Sequence, residues 1–177
     1  IPGSDGTTVS GLGLIASWDS RDKLFFPSEG SFWESKLLLY SNAFGSEHDF
    51  LLLDFDYRKY IGLGGRNVFA IQTIMESRFG DVPFQRKAFI GGTDMMRGYY
   101  EGRYIDDQYI AVQAELRYHI WWRFGGAVFG SAGQLSPNIT KFSTNDLKLA
   151  AGFGFRFMVD SDELLFIRAD VAFTEFG

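Results

Sequence analysis

Asn145-Asp146-Leu147-Lys148-Leu149-Ala150-Ala151-Gly152-Phe153-Gly154-Phe155-Arg156-Phe157-Met158-Val159 is the stretch that decides the fold. Leu147, Leu149, Ala151, Phe153, Phe155, Phe157 and Val159 share one parity. Lys148, Ala150, Gly152, Gly154, Arg156 and Met158 share the other. Successive side chains of a strand point to opposite faces, so this spacing gives one greasy face and one small-or-charged face. Helical spacing would mix the two classes. The segment reads as a strand.

The same period recurs along the chain. Ile110, Val112, Ala114, Leu116, Tyr118 and Ile120 alternate with Ala111, Gln113, Glu115, Arg117 and His119. Leu51, Leu53, Phe55 and Tyr57 alternate with Leu52, Asp54, Asp56 and Arg58. Near the end, Leu165, Ile167, Ala169, Val171 and Phe173 alternate with Phe166, Arg168, Asp170, Ala172 and Thr174. Eight strands are predicted, over 10–20, 31–41, 50–61, 68–79, 109–121, 126–135, 146–159 and 164–176, and no helix. A soluble sandwich also alternates, so length has to separate the cases. Segments of about 10 to 14 residues exceed ordinary globular strands and suit a tilted membrane crossing. Each polar face carries several ionisable residues, as a wet interior would require.

Composition narrows the class further. Aromatics make up 18% of the 177 residues, with 19 Phe and 21 Gly, and cysteine is absent. Neither a disulfide framework nor a thiolate metal site is therefore available. The formal charge of −5 and a pI near 5 argue against a nucleic-acid binder, which would need a basic face. No run of 18 apolar residues is present, which excludes a transmembrane helix. Ile1-Pro2-Gly3-Ser4-Asp5-Gly6 has neither the basic head nor the apolar stretch of an export signal, so such a signal is expected upstream.

The connections predict which end is which. Arg21–Gly30, Gly62–Asn67, Trp122–Gly125 and Asp160–Glu163 read as short turns, and Asn42–Asp49, Gly80–Gln108 and Ser136–Asn145 as longer loops. Membrane barrels have short periplasmic turns and longer outside loops. Trp18, Trp33, Trp121 and Trp122 all fall close to the short turns, where an interfacial aromatic belt would lie. A soluble ligand-binding barrel, the remote alternative, gives no reason for them to gather there. The expected fold is all-β, an antiparallel transmembrane β-barrel whose outward face meets lipid.

Three segments carry a family likeness. They are Trp18-Asp19-Ser20-Arg21-Asp22-Lys23 with Phe26-Pro27-Ser28-Glu29-Gly30, then Ile90-Gly91-Gly92-Thr93-Asp94-Met95-Met96-Arg97-Gly98-Tyr99, then Ile167-Arg168-Ala169-Asp170. In order and spacing the chain resembles the bacterial surface antigen family, the barrel shared by BamA- and TamA-type assembly proteins and two-partner secretion transporters. The resemblance implies a bacterial outer-membrane location and a sixteen-stranded barrel, of which residues 1–177 would form a C-terminal part. Further strands, or a partner chain, would then cover both edges, because relatives have strands before this region and one more after the Arg-Ala-Asp strand.

The resemblance also implies that the long loop folds inward and that Arg97, Gly98 and Tyr99 form its anchoring motif. Glu115 aligns with the family's acidic partner. The next strand usually reads Phe-x-Asp-x-Gly and here reads Phe129-Gly130-Ser131-Ala132-Gly133, so Ser131 replaces the second acid. Asp170 is a candidate substitute. With Ser131 uncharged, Glu115 is expected to carry most of the attraction on Arg97, packed beside Tyr99. A buried Arg needs a carboxylate, and its planar fork suits bidentate holding.

Other groupings carry no chemistry. His48 and His119 are too far apart in sequence to make a metal case. Asp54, Asp56 and Arg58 are spaced as inner-wall charges with no nucleophile nearby. Ser10-Gly11-Leu12-Gly13 is no phosphate cradle, and no Gly-x-Ser-x-Gly elbow occurs. Neither an enzyme nor a cofactor is expected. Insertion or assembly of outer-membrane proteins is the first functional expectation, with client polypeptides as partners. Secretion of a polypeptide through the barrel, or anchoring of an upstream patatin-like lipase, are the alternatives.

Overall fold

The computed structural model describes residues 6–160 and 165–174. Its strands are β1 Gly11–Asp19, β2 Gly30–Tyr40, β3 Phe50–Gly64, β4 Asn67–Gly80, β5 Ala88–Ile90, β6 Tyr104–Asp106, β7 Gln108–Trp121, β8 Phe124–Ser136, β9 Lys148–Asp160 and β10 Leu165–Thr174. The eight long strands match the eight segments read from alternation, with β3 running on to Gly64. The last predicted segment extends past β10 into residues outside the described ones. Among the described residues the helical structure is limited to 3-10 turns, such as Phe84–Arg86.

The long strands form one antiparallel sheet in the order β1-β2-β3-β4-β7-β8-β9-β10. Every neighbour in this order is also the next long strand in sequence, so each pairing joins strands that are consecutive along the sheet. The sheet is open, with β1 and β10 at its two ends. Eight strands laid flat would separate those ends by about 34 Å at the usual strand spacing. Yet Phe26, in the turn after β1, stacks on Phe166 of β10 with ring centroids 4.1 Å apart. The sheet therefore curls and has an inner and an outer face.

Parity decides which residues lie on each face. Ile110, Val112, Leu116, Leu149, Phe153 and Phe155 are all exposed on the outside. Their alternates Ala111, Gln113, Glu115, Ala150 and Arg156 are buried on the inside. An apolar outside around a polar inside is the reverse of a water-soluble domain and suits a lipid surround. Trp18 and Trp33 face each other across β1 and β2, while Trp121 and Trp122 sit at the β7–β8 turn, so all four tryptophans lie at the short-turn end.

One connection departs from the sequence reading. Residues 20–29 join β1 to β2 and are no shorter than residues 41–49, which join β2 to β3. The first of these stays compact because the Asp22 carboxylate accepts from the Ser28 and Glu29 amides at 2.8 and 3.1 Å, and from the Ser28 hydroxyl. Burial opposes ionisation of Asp22, but these bonds and the nearby Lys23 outweigh it and hold its pKa below the ordinary value. A depressed carboxylate stabilises the fold above its unfolded pKa and loses that contribution as pH falls through the lower folded value. Hydrogen exchange over residues 20–30, corrected for intrinsic rate, is expected to stay flat down to about pH 4 and rise below it.

Candidate functional site

The connection between β4 and β7 carries its own small structure. β5 and β6 pair as a hairpin, Ala88 opposite Asp106 and Ile90 opposite Tyr104, within the stretch 80–108 whose sequence reads as one long loop. Ala88, Ile90, Met95, Met96 and Tyr99 of this connection pack against Tyr109 and Ala111 of β7 and Ala150 of β9. Ile90 and Met96 are wholly buried. Burying side chains of this size contributes roughly 1.5–3 kcal/mol each. The loop is seated on the inner face by apolar packing before any charge is counted.

Arg97 sits at the centre of this seat, 4% exposed. Its Nη2 donates to Glu115 Oε2 at 2.5 Å and its Nη1 to Asp170 Oδ2 at 2.8 Å. The guanidinium lies over the Phe129 ring, 3.6 Å from its centroid. Glu115 also accepts from Arg117 Nε at 2.6 Å and lies 3.5 Å from Arg156 Nη2. Asp170 is paired with Arg156 through its other oxygen. Three guanidiniums thus share two carboxylates. Charges this buried persist only when paired and hydrogen-bonded, because each loses several kcal/mol of hydration.

The flanking residues are held as closely. Tyr99 donates its hydroxyl to the Leu149 carbonyl at 3.0 Å and meets Tyr104 edge-on. Asp94 accepts from Arg168 Nη2 at 2.7 Å, and its carbonyl accepts from Gln113 Nε2 at 2.9 Å. Gly98 has φ +104°, and a Cβ there would stand 2.9 Å from the Ala172 Cβ and 3.0 Å from the Thr174 Cγ2. Both the backbone and the space require glycine. Gly98→Ala is expected to cost roughly 1–3 kcal/mol, read as a lower urea midpoint for the barrel in detergent, with β-content unchanged in the folded state.

The structure brings Arg97, Glu115 and Asp170 together and places Gly98 against β10. Ser131 is buried on β8, but its hydroxyl is turned to the Ala150 carbonyl at 3.5 Å and not to the guanidinium. Asp170 supplies the second carboxylate, so the attraction is shared between two acids and does not rest on Glu115 alone. The ring facing Arg97 is Phe129, which the sequence reading had not assigned. Its parity with Ser131 was the available signal. Tyr99 points instead to Tyr104 and Leu149. His48 Nδ1 lies 2.6 Å from Asp81 between two outer loops, while the His119 amide donates to Asn67. Asp56 is bound by Arg58 at 2.6 Å and by Gln72, as inner-wall charges are.

Comparison with known proteins agrees with this architecture. The Omp85 superfamily domain matches residues 4–176. The crystal structure of BamA from Haemophilus ducreyi lacking POTRA domains 1-3 superposes with a TM-score of 0.74 at 16% sequence identity. The alignment covers 92% of this chain and 38% of that one. No curated protein sequence matches. At this identity the superposition speaks for the fold: an antiparallel barrel wall of the BamA kind. The location that goes with the family match is the bacterial outer membrane. From the profile match over nearly its whole length, the chain belongs to the Omp85 superfamily.

Proposed function

We propose that this barrel inserts or assembles outer-membrane proteins, and that residues 1–177 supply eight strands of a larger, sixteen-stranded wall. The observation that carries the reading is the seat of the 81–107 connection. It lies on the inner face, pinned through Arg97 to β7 and β10 at once. A lumen occupied in this way favours work done at the barrel wall over free passage through it. Backbone groups at an unpaired strand cost several kcal/mol each in hydrocarbon. β1 and β10 at the ends of the sheet must therefore be met by further strands of the barrel, a partner chain or a client strand.

The test is reconstitution of the full-length protein in lipid vesicles with an unfolded outer-membrane protein as client. Faster client folding than in empty vesicles, read by heat-shifted gel mobility, is the expected result. Client folding at the rate of empty vesicles would reject the assembly role. Delivery of a polypeptide into the vesicle interior would point to secretion instead. A lipase domain encoded upstream would make the barrel an anchor.

A further inference from the structure

The loop anchor leaves one positive charge unanswered. Arg21, Arg58 and Arg168 each have a carboxylate of their own, in Asp19, Asp56 and Asp94. Arg97, Arg117 and Arg156 have Glu115 and Asp170 between them, and among the described residues no third carboxylate lies within ion-pair distance. The inner wall does carry a spare acid, because Asp54 and Glu76 share Arg78. Glu76 stands six positions along β4 from Ala70, the cross-strand neighbour of Glu115. At the rise of a strand that is about 20 Å, too far to answer the charge.

A cavity of about 200 Å³ lies against the cluster, lined by Arg97, Gln113, Glu115 and Arg117, with Leu24 and Phe25 of the 20–29 connection on its wall. At roughly 30 Å³ per water, it has room for a small ion and several waters. Arg97 is 4% and Gln113 7% exposed. Each keeps one buried side-chain atom without a partner, Nε of Arg97 and Oε1 of Gln113. Gln113 Nε2 donates to the Asp94 carbonyl at 2.9 Å, which fixes the amide so that its unpartnered atom is the oxygen. One orphan is a donor and the other an acceptor.

Three needs therefore meet at this cavity: a negative charge, an acceptor for Arg97 and a donor for Gln113. Water supplies the last two but no charge. Chloride and sulfate bring charge and accept, yet at neutral pH neither has a proton to give. A proton-bearing oxyanion, of the hydrogenphosphate or hydrogencarbonate kind, supplies all three, and its bonds to guanidinium are charge-assisted. We propose that the inner wall binds one such oxyanion between Arg97 and Gln113, where it completes the charge balance of the loop anchor. The inference goes beyond the assembly reading and holds for an assembling or a secreting barrel alike.

The test is calorimetric titration of the full-length protein in phosphate-free maltoside micelles at neutral pH and constant ionic strength. Inorganic phosphate should bind. Sulfate, of the same shape but without the proton, should bind about tenfold more weakly or worse. Dimethyl phosphate, a lipid phosphodiester without its chains, also lacks the proton and should do no better than sulfate. Ser131 stands opposite Gln113 across β7 and β8. Ser131→Asp supplies the missing charge from the chain itself and should abolish phosphate binding, while the equally shaped, neutral Ser131→Asn should retain it. Unchanged heat-shifted gel mobility would show that both variants fold, and the comparison of anions on the unaltered protein stands without them. No phosphate binding, sulfate bound as tightly as phosphate, or undiminished binding to Ser131→Asp would overturn the proposal. Dimethyl phosphate bound as tightly as phosphate would make it a lipid-headgroup site and overturn it equally.

Discussion

Glu115→Ala is expected to destabilise the barrel by about 3–5 kcal/mol, more than Arg97→Ala does. The reason is the count of charges around it. Glu115 is shared by Arg97, Arg117 and Arg156, and Asp170 by Arg97 and Arg156. Removing Arg97 leaves two guanidiniums on two carboxylates, a balanced set. Removing Glu115 leaves three guanidiniums on one carboxylate, with Arg117 stripped of its partner inside the wall. Urea unfolding of the two variants in lipid vesicles gives the order. Arg97→Ala should act chiefly on the loop, raising trypsin cleavage at Arg103 from the outside while β-content holds. Equal costs would show that the guanidiniums act as independent pairs. The same sharing bears on the exchange Arg97→Glu with Glu115→Arg. A lone pair would tolerate it, but here the new arginine would stand beside Arg117 and Arg156, so little rescue is expected.

Phe155→Arg is expected to cost roughly 2–4 kcal/mol if the outer face of β9 lies near the membrane midplane. Phe155 is half exposed, on the same parity as Phe153 and Val159. In water a charge at an exposed site costs almost nothing, so the size of the effect reports the solvent around that face. Equilibrium folding into phosphatidylcholine vesicles measures it, and a change near zero would place that face in water.

The strands were legible because membrane crossing demands a strict period of two over long segments, and β9 shows it in every residue from Leu149 to Val159. The inner anchor was legible in part. Arg97 stood out through Arg-Gly-Tyr and the paired glycines Gly91 and Gly92, and Glu115 through its inner-face parity. That Asp170 takes the second place, leaving Ser131 to bond the Ala150 carbonyl, depends on how far β10 curls toward β7 and β8. No local pattern encodes that curvature. The β5–β6 hairpin was hidden for a related reason. Ala88-Phe89-Ile90 and Tyr104-Ile105-Asp106 are too short to show a period, and they pair because the packed core of Ile90, Met95, Met96 and Tyr99 brings them together. The length of the first turn was misleading because Asp22 ties it shut by side-chain bonds, which a count of residues does not register.

Single cysteines in an otherwise cysteine-free barrel test the central claim most directly, namely a lipid-facing wall with the loop seated on its inner face. Spin labels are placed at Ala151, Phe153 and Phe155, and separately at Ala150, with the protein in a bilayer. Collision rates with oxygen, which concentrates in lipid, and with a water-soluble nickel chelate are then compared. The three outer positions should collide freely with oxygen and hardly with the chelate. Ala150, 4% exposed beneath the loop, should be shielded from both until Arg97→Ala frees the loop, and should then gain chelate collisions. Chelate access at Phe153 and Phe155, or free access at Ala150 with Arg97 intact, would contradict it.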